Sequence, residues 1–125
     1  MAKVLIIDDE ENFRDTLCKY ASRLGHEVES AGDAITALKS GRMMTPDVIF
    51  VDWMLKSELN GLDVIQMLRE SAPELIAVVI TGDLALELPS RLEEGGRTSI
   101  LRKPFGLSDF KAALDDAVLM HSSQQ

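Results

Sequence analysis

The feature that most constrains this chain is a regular alternation between short apolar runs and segments with helical periodicity. Two of the runs, VLII and VIFV, are uninterrupted, which is typical of strands buried on both faces of a sheet. The strand candidates are residues 3–8, 27–31, 47–52, 75–81 and 98–102. The alternation therefore predicts an α/β fold, in which helices cover both faces of one parallel sheet.

Helices are predicted in the gaps between these strands, at residues 11–24, 33–40 and 62–71 and in a last segment from residue 108. Gly25 and Gly41 are expected to end the first two helices. Asp33 and Ser108 are expected to cap the second and the last. The segment LALELPSRLEEGG contains Pro89, which predicts a loop through residue 88 and a short fourth helix after it.

Right-handed crossovers between these units predict a single doubly wound five-stranded parallel sheet in the flavodoxin-like order 2-1-3-4-5. The 125 residues suit one domain, which we place at residues 1–120, with a polar tail at residues 121–125. In such sheets the ligand crevice lies outside the carboxyl ends of the central strands.

The composition limits the partners and the location of the chain. The formal net charge of −8 argues against direct binding to nucleic acid or to an anionic membrane, whose phosphates would be repelled. The apolar runs are too short to span a bilayer, and the N-terminus lacks the pattern of a signal peptide. Cys18 is the only cysteine, so an internal disulfide is excluded, and a cytoplasmic location is expected.

Chemically active side chains stand where the predicted strands end. They are Asp8, Asp9 and Glu10 after the first strand, Asp52 at the end of the third, Thr81 at the end of the fourth and Lys103 after the fifth. Because the carboxyl ends of parallel strands lie at one edge of a sheet, these side chains are expected to converge there.

Clustered carboxylates are unfavourable unless a proton or a cation offsets their repulsion. At a separation of about 5 Å, each pair repels by roughly 3 kcal/mol at an effective dielectric constant near 20. Hard oxygen ligands favour Mg²⁺, which also binds phosphate oxygens. Phosphoryl transfer to an Asp carboxylate is therefore the natural chemistry, with the Lys103 ammonium and the Thr81 hydroxyl as donors to the added charge.

Each of these residues also has a simpler explanation. Acidic residues after a strand often begin a helix, where its dipole favours them. The pairs Thr81–Gly82 and Lys103–Pro104 are common in turns. What favours a site is the placement of these types on four strand ends of one short chain.

Together, the motifs VLIIDDE, VIFVDWML, VVITGD and LRKPF resemble the response-regulator receiver family of two-component signalling. The resemblance implies a switch rather than an enzyme, which accepts a phosphoryl group on Asp52 from a histidine kinase, a phosphotransfer protein or a small phosphodonor. It leaves open an output domain, a downstream protein partner and a homodimer formed on phosphorylation. No further motif follows residue 120, so the chain is expected to be either a stand-alone regulator or part of a longer protein.

The resemblance also implies roles for individual residues. Mg²⁺ would be bound by the side chains of Asp9 and Asp52, by the backbone carbonyl of Met54 and, through water, by Asp8. The phosphoryl group would be contacted by Lys103, and Thr81 would be the switch hydroxyl. The peptide bond between Lys103 and Pro104 is often cis in this family.

Three departures from the family pattern affect how a signal would be transmitted. Lys56 stands where many members have proline, and the loop before Gly61 is one residue longer. Ile100 occupies a position that is usually aromatic, so the aromatic switch is absent. Pro89 shortens the fourth helix, a variant similar to receivers attached to hybrid sensor kinases. We therefore predict that reordering of residues 82–92 transmits the signal and that Ile100 is passive.

Three other functions are compatible with a chain of this length and fold class. A phosphatase of the haloacid-dehalogenase kind needs a second Asp two residues after the nucleophile, where this chain has Met54. A flavodoxin needs a phosphate-binding loop after the first strand, where this chain places acids that would repel the ligand. A phosphorylation-independent interaction module on the same fold remains the alternative.

Overall fold

The sheet of this protein contains five parallel strands in the order β2-β1-β3-β4-β5. The computed structural model describes residues 1–55, 59–82 and 97–124. In chain order, the elements in these ranges are β1 (Lys3–Ile7), α1 (Glu11–Arg23), β2 (Glu27–Ala31), α2 (Ala34–Met44), β3 (Val48–Asp52), α3 (Gly61–Arg69), β4 (Ile76–Thr81), β5 (Thr98–Arg102) and α4 (Leu107–Ser122). The predicted fold class and strand order are confirmed.

Two apolar layers cover the sheet, one on each face. Successive residues of a strand point to opposite faces, so β1 sends Leu5 and Ile7 to one layer and Val4 and Ile6 to the other. The first layer is completed by Ala37, Leu38, Val64, Ile65 and Leu68 of α2 and α3. The second is completed by Leu17 and Ala21 of α1 and by Phe110, Leu114 and Ala117 of α4. The uninterrupted apolar runs in β1 and β3 are thus explained by burial on both faces.

Two of the predicted helix boundaries around α1 and α2 are confirmed and one is wrong. Gly25 follows α1 with a φ of 96°, and Asp33 caps α2 by accepting the Thr36 N–H at 2.7 Å, both as predicted. Gly41, however, does not end α2, which continues to Met44 and is followed by Thr45 at a φ of 46°. A Cβ at Gly41 would lie 2.6 Å from Leu68 Cδ2, so this glycine serves close packing of α2 on α3.

The last helix also begins differently from the prediction. Ser108 lies inside its first turn, and the N-cap is Gly106, whose N–H donates to the Asp109 carboxylate at 2.9 Å. A glycine has no capping side chain, so the acid three residues later satisfies the free N–H instead. The helix runs to Ser122 and so includes two residues of the predicted tail.

Several predictions concern residues outside the described ranges. These are the lengthened loop at Lys56, the loop through residue 88, the short helix from Pro89 and the signal-transmitting segment apart from Gly82. Within the described ranges, none of the helices has the length and apolar character needed to cross a membrane.

Candidate functional site

The carboxyl edge of the sheet brings together the acids that follow β1 and β3. The Asp8 N–H donates to the Ala31 carbonyl at 3.1 Å, which extends the pairing of β1 with β2 up to the site. Asp52 is the last residue of β3, the central strand, and the Trp53 N–H donates to the Ile80 carbonyl at 2.9 Å. Strand pairing thus holds the backbone of both acids.

Asp8, Asp9 and Asp52 each place a carboxylate oxygen within 4.8 Å of the other two. Asp8 is fully buried, whereas the Asp52 side chain is 13% exposed. Glu10, the fourth acid of the predicted set, is exposed and contributes its backbone N–H, which donates to Asp8 Oδ1 at 2.8 Å. The clustering expected from the sequence is therefore present for three of the four acids.

Lys103 lies between two of these carboxylates. Its Nζ is 3.6 Å from Asp8 Oδ2 and 3.6 Å from Asp52 Oδ2. The Lys103 N–H donates to the Thr81 carbonyl at 2.8 Å, so the ladder between β4 and β5 continues one residue past β5. The next peptide bond, between Lys103 and Pro104, is cis.

The electrostatics of the cluster remain unfavourable in spite of Lys103. Burial raises the pKa of Asp8, and the charges of Asp52 and Asp9 act in the same direction, against the Glu10 N–H and the Lys103 ammonium. Asp8 Oδ2 is buried and has no hydrogen-bond partner among the described residues. A buried carboxylate oxygen without a donor, beside two further carboxylates, fits the oxygen ligand set of a divalent cation such as Mg²⁺.

The other predicted site residues occupy distinct positions around this cluster. Thr81 ends β4 and is buried. The Met54 side chain is exposed, and its N–H donates to Asp52 Oδ1 at 3.0 Å. Ile100 is a half-buried residue in the middle of β5 and packs against the layer formed with α2 and α3. The structure thus places Ile100 among apolar packing contacts.

Arg14 of α1 contacts the site, although it was not predicted to do so from the sequence. Its Nη1 donates to the Asp8 carbonyl at 2.7 Å, while its Nε is buried without a hydrogen-bond partner among the described residues. A Cβ at Gly32 would come within 3.0 Å of the same Nη1, so the absence of a side chain there makes room for the guanidinium. Nothing in the spacing of Arg14 and Gly32 distinguishes them from helix-surface and turn residues.

Gly61 contacts the backbone of the acid on β3. Its N–H donates to the Trp53 carbonyl at 3.1 Å, and a Cβ at this position would lie 2.8 Å from the Asp52 carbonyl oxygen. The first residue of α3 therefore packs directly on the segment that carries Asp52. In the sequence, Gly61 was notable only as the end of a lengthened loop.

Comparisons with known proteins agree with this geometry. Residues 4–115 match the family described as the response regulator receiver domain. The DNA-binding transcriptional regulator NtrC of Azospirillum brasilense is 31% identical over 117 residues, which are 94% of this chain and 24% of that protein. The response regulator MprA of Mycobacterium leprae is 32% identical over 113 residues, which are 90% of this chain and 49% of that protein.

Among solved structures, the receiver domain of NtrX from Brucella abortus superimposes with a TM-score of 0.81 at 30% identity, covering 91% of this chain and 96% of that one. The chain thus spans about a quarter to a half of the length of the curated relatives named above. With the family match over most of its length, the relatives and the parallel fold in agreement, this chain belongs to the response regulator receiver domain family.

Proposed function

We propose that this chain is a phosphorylation-dependent switch of a two-component phosphorelay, which accepts a phosphoryl group on Asp52 in the presence of Mg²⁺. The observation that carries the proposal is the position of the Lys103 ammonium, 3.6 Å from the carboxylates of both Asp8 and Asp52, beside Asp9. Membership of the receiver family supports a signalling role in place of a classical enzyme.

Accessibility favours Asp52 over Asp8 as the acceptor. An incoming phosphorus atom must reach a carboxylate oxygen, and Asp8 is fully buried, whereas Asp52 is partly exposed at the end of the central strand. The Met54 N–H holds Asp52 Oδ1 at 3.0 Å, which orients the carboxylate. A new O–P bond would form at Asp52 while the N–P bond of the donor phosphohistidine breaks.

Asp9 and Asp52 are the carboxylates that would hold Mg²⁺, together with the Met54 backbone carbonyl and with Asp8 through water. The bound ion would offset the carboxylate repulsion and neutralise charge on the phosphoryl oxygens. Asp8 also attracts the Lys103 ammonium, at a distance of 3.6 Å. Lys103 is the donor proposed to meet the phosphoryl group, and Thr81 is the hydroxyl proposed to move toward it.

The proposal is tested by phosphorylation with acetyl phosphate or with a histidine kinase in the presence of Mg²⁺. We expect a hydroxylamine-labile adduct that is absent from Asp52→Asn and present in the control Asp47→Asn, which changes an acid at the other edge of the sheet. Labelling that persists in Asp52→Asn would show that the acceptor is another residue. A wild-type protein that takes no label from either donor would favour the phosphorylation-independent module.

Mg²⁺ binding can be measured separately from phosphorylation. Trp53 adjoins the acceptor, so its fluorescence should respond to the ion. We expect Asp9→Ala to weaken the titration strongly, and Lys103→Ala to leave Mg²⁺ affinity nearly unchanged while impairing switching. An Asp9→Ala protein that titrates like the wild type would remove Asp9 from the ligand set.

The partners and the output remain proposals of the same kind. A histidine kinase or phosphotransfer protein is the expected donor, and an output domain, a downstream protein or a phosphorylation-dependent homodimer is the expected recipient of the signal. A cytoplasmic location and the absence of direct nucleic-acid or membrane contact are proposed with them. In a beryllofluoride complex we expect amide shifts within residues 82–92, with the response retained in Ile100→Val.

A further inference from the structure

An aromatic ring of α1 lies against the ammonium of the site. Lys103 Nζ is 4.6 Å from the centroid of the Phe13 ring. The Phe13 ring meets the Phe105 ring edge to face, with centroids 5.6 Å apart and an interplanar angle of 71°. Phe105 follows Lys103 by two residues, so one side chain of α1 contacts both the ammonium and the loop that carries it.

The carboxylates alone leave this ammonium weakly constrained. Both distances from Nζ, 3.6 Å to Asp8 and 3.6 Å to Asp52, exceed the length of a charged hydrogen bond, and 30% of the Lys103 side chain is exposed. A lysine carries its charge on a flexible four-carbon stem with many rotamers. An additional contact would favour the rotamer that points into the site.

The Phe13 ring has the geometry to provide that contact. A cation within about 6 Å of an aromatic centroid is attracted by the negative face of the ring. Phe13 is half-buried at the start of α1, while Leu17 of the same apolar stripe is buried in the core. The edge-to-face contact with Phe105 restricts the orientation of the ring.

We propose that Phe13 is a positioning residue for Lys103, which holds the ammonium at the phosphoryl-binding side of the site before the phosphoryl group arrives. This inference rests on the proposed function. An ammonium that is already ordered loses less conformational freedom when it binds an anion, and the affinity for the anion rises accordingly. Phe13 supplies no ligand atom for Mg²⁺ and no reacting atom.

The test measures binding of beryllofluoride, an analogue of the phosphoryl group, to the Mg²⁺-loaded protein. Two changes at position 13 remove the cation–π attraction in different ways. Phe13→Leu deletes the ring, whereas 3,4,5-trifluorophenylalanine keeps the shape of the ring but withdraws electron density from its face. We expect both to weaken beryllofluoride binding by about two- to five-fold, the contribution of a cation–π contact at a partly exposed site. Phe13→Tyr should bind like the wild type.

Three measurements separate positioning from a merely structural effect. Mg²⁺ affinity without beryllofluoride, followed by Trp53 fluorescence, should stay unchanged in the position-13 variants. The NMR signals of the Lys103 ε-methylene should report increased motion. The same trifluorinated residue at Phe110, which packs on Phe50 between the sheet and α4, should change neither quantity.

The outcomes distinguish this inference from the proposed function. If the wild type binds beryllofluoride and the trifluorinated position-13 variant binds it equally well, the role of Phe13 is wrong and the switch proposal stands. If the wild type does not bind beryllofluoride in the presence of Mg²⁺, the proposed function fails, and this inference fails with it.

Discussion

The two edges of the sheet differ in how completely their charged side chains are compensated by hydrogen bonds and opposite charges. At the amino edge, the Arg69 guanidinium donates to the Leu75 carbonyl at 3.1 and 2.9 Å, to the Arg97 carbonyl at 2.6 Å and to the Thr98 hydroxyl at 2.9 Å. These bonds tie the end of α3 to the starts of β4 and β5. Burial lowers the pKa of Arg69 to about 10, with a smaller effect of the Arg97 charge, so the group stays protonated at neutral pH.

At the carboxyl edge, like charges are gathered and incompletely compensated. Asp8, Asp9 and Asp52 share a small volume, and Asp8 Oδ2 has no hydrogen-bond partner in the described part of the chain. Such an arrangement lowers stability and is retained where a site must bind an ion or a charged group. The contacts at the amino edge thus stabilise the fold, whereas the clustered charges at the carboxyl edge reduce its stability and favour binding of an ion.

The largest expected effect is the loss of the Arg69 contacts. Arg69→Met removes these charged hydrogen bonds, including both guanidinium donors to the carbonyl of the buried Leu75, whereas the Arg97 carbonyl keeps the Ala77 N–H as a donor. The loss should cost about 2–4 kcal/mol of unfolding free energy. Urea denaturation measures this loss, and Arg42→Met on the exposed face of α2 is the matched control. If both variants are equally stable, the amino edge does not have the role that we assign to it.

A change at Gly61 should affect both stability and the site. A Cβ there would lie 2.8 Å from the Asp52 carbonyl oxygen and 3.3 Å from Trp53 Cα, so the backbone must shift. Overpacking of this kind costs about 1–3 kcal/mol, and we expect Gly61→Ala to weaken Mg²⁺ binding as well. Gly106→Ala is the control, because a Cβ there meets only Asp109 Oδ2, at 3.9 Å. An intact Mg²⁺ titration in Gly61→Ala would contradict the coupling.

Neutralising one acid at each edge should change stability in opposite directions. Asp8→Asn removes a buried charge whose pKa is raised by burial, so the ion-free protein should gain roughly 0.5–2 kcal/mol while losing Mg²⁺ affinity. Asp47→Asn weakens the acceptor of the Lys3 N–H and the partner of His121, and should cost about 1 kcal/mol. Thermal unfolding without Mg²⁺ measures both. A lower unfolding temperature of Asp8→Asn would contradict the claim that the carboxylates at the carboxyl edge lower the stability of the ion-free protein.

The smallest expected effect is at Gly32, next to the Arg14 guanidinium. A Cβ at 3.0 Å from Arg14 Nη1 requires that flexible group to shift by a few tenths of an ångström. We expect Gly32→Ala to change stability by less than about 0.5 kcal/mol, since reduced freedom of the unfolded chain offsets the contact. The hydrogen bond to the Asp8 carbonyl should weaken, and Mg²⁺ affinity should fall slightly. Gly82→Ala, where a Cβ meets Lys103 Cβ at an ordinary 3.8 Å, is the control; equal Mg²⁺ affinities would exclude the effect.

The predicted helix caps and ends show which boundaries can be found from local sequence patterns and which cannot. Gly25 and Asp33 act as predicted because the structural needs that they meet are local. Gly25 adopts a positive φ directly after α1, and Asp33 accepts the N–H of a residue three positions later. Gly41 was misread as a helix end because its requirement comes from Leu68, on another helix. Ser108 was misread as a cap because Asp109 satisfies the Gly106 N–H from inside the helix.

The alternation of apolar runs and helical segments was enough to predict the parallel sheet and the edge at which the acids meet. Apolar runs buried on both faces require a parallel sheet with helical crossovers, and the carboxyl ends of its strands then share one edge. Clustering of Asp8, Asp9 and Asp52 follows from that topology without knowledge of any contact.

The other side chains that complete the site depend on tertiary packing. The approach of Phe13 to Lys103 depends on how α1 packs beside the loop after β5. Arg14 reaches the Asp8 carbonyl across a space that exists because Gly32, on a different segment, has no side chain. Such contacts depend on the packing of segments distant in sequence, which periodicity and local spacing do not encode.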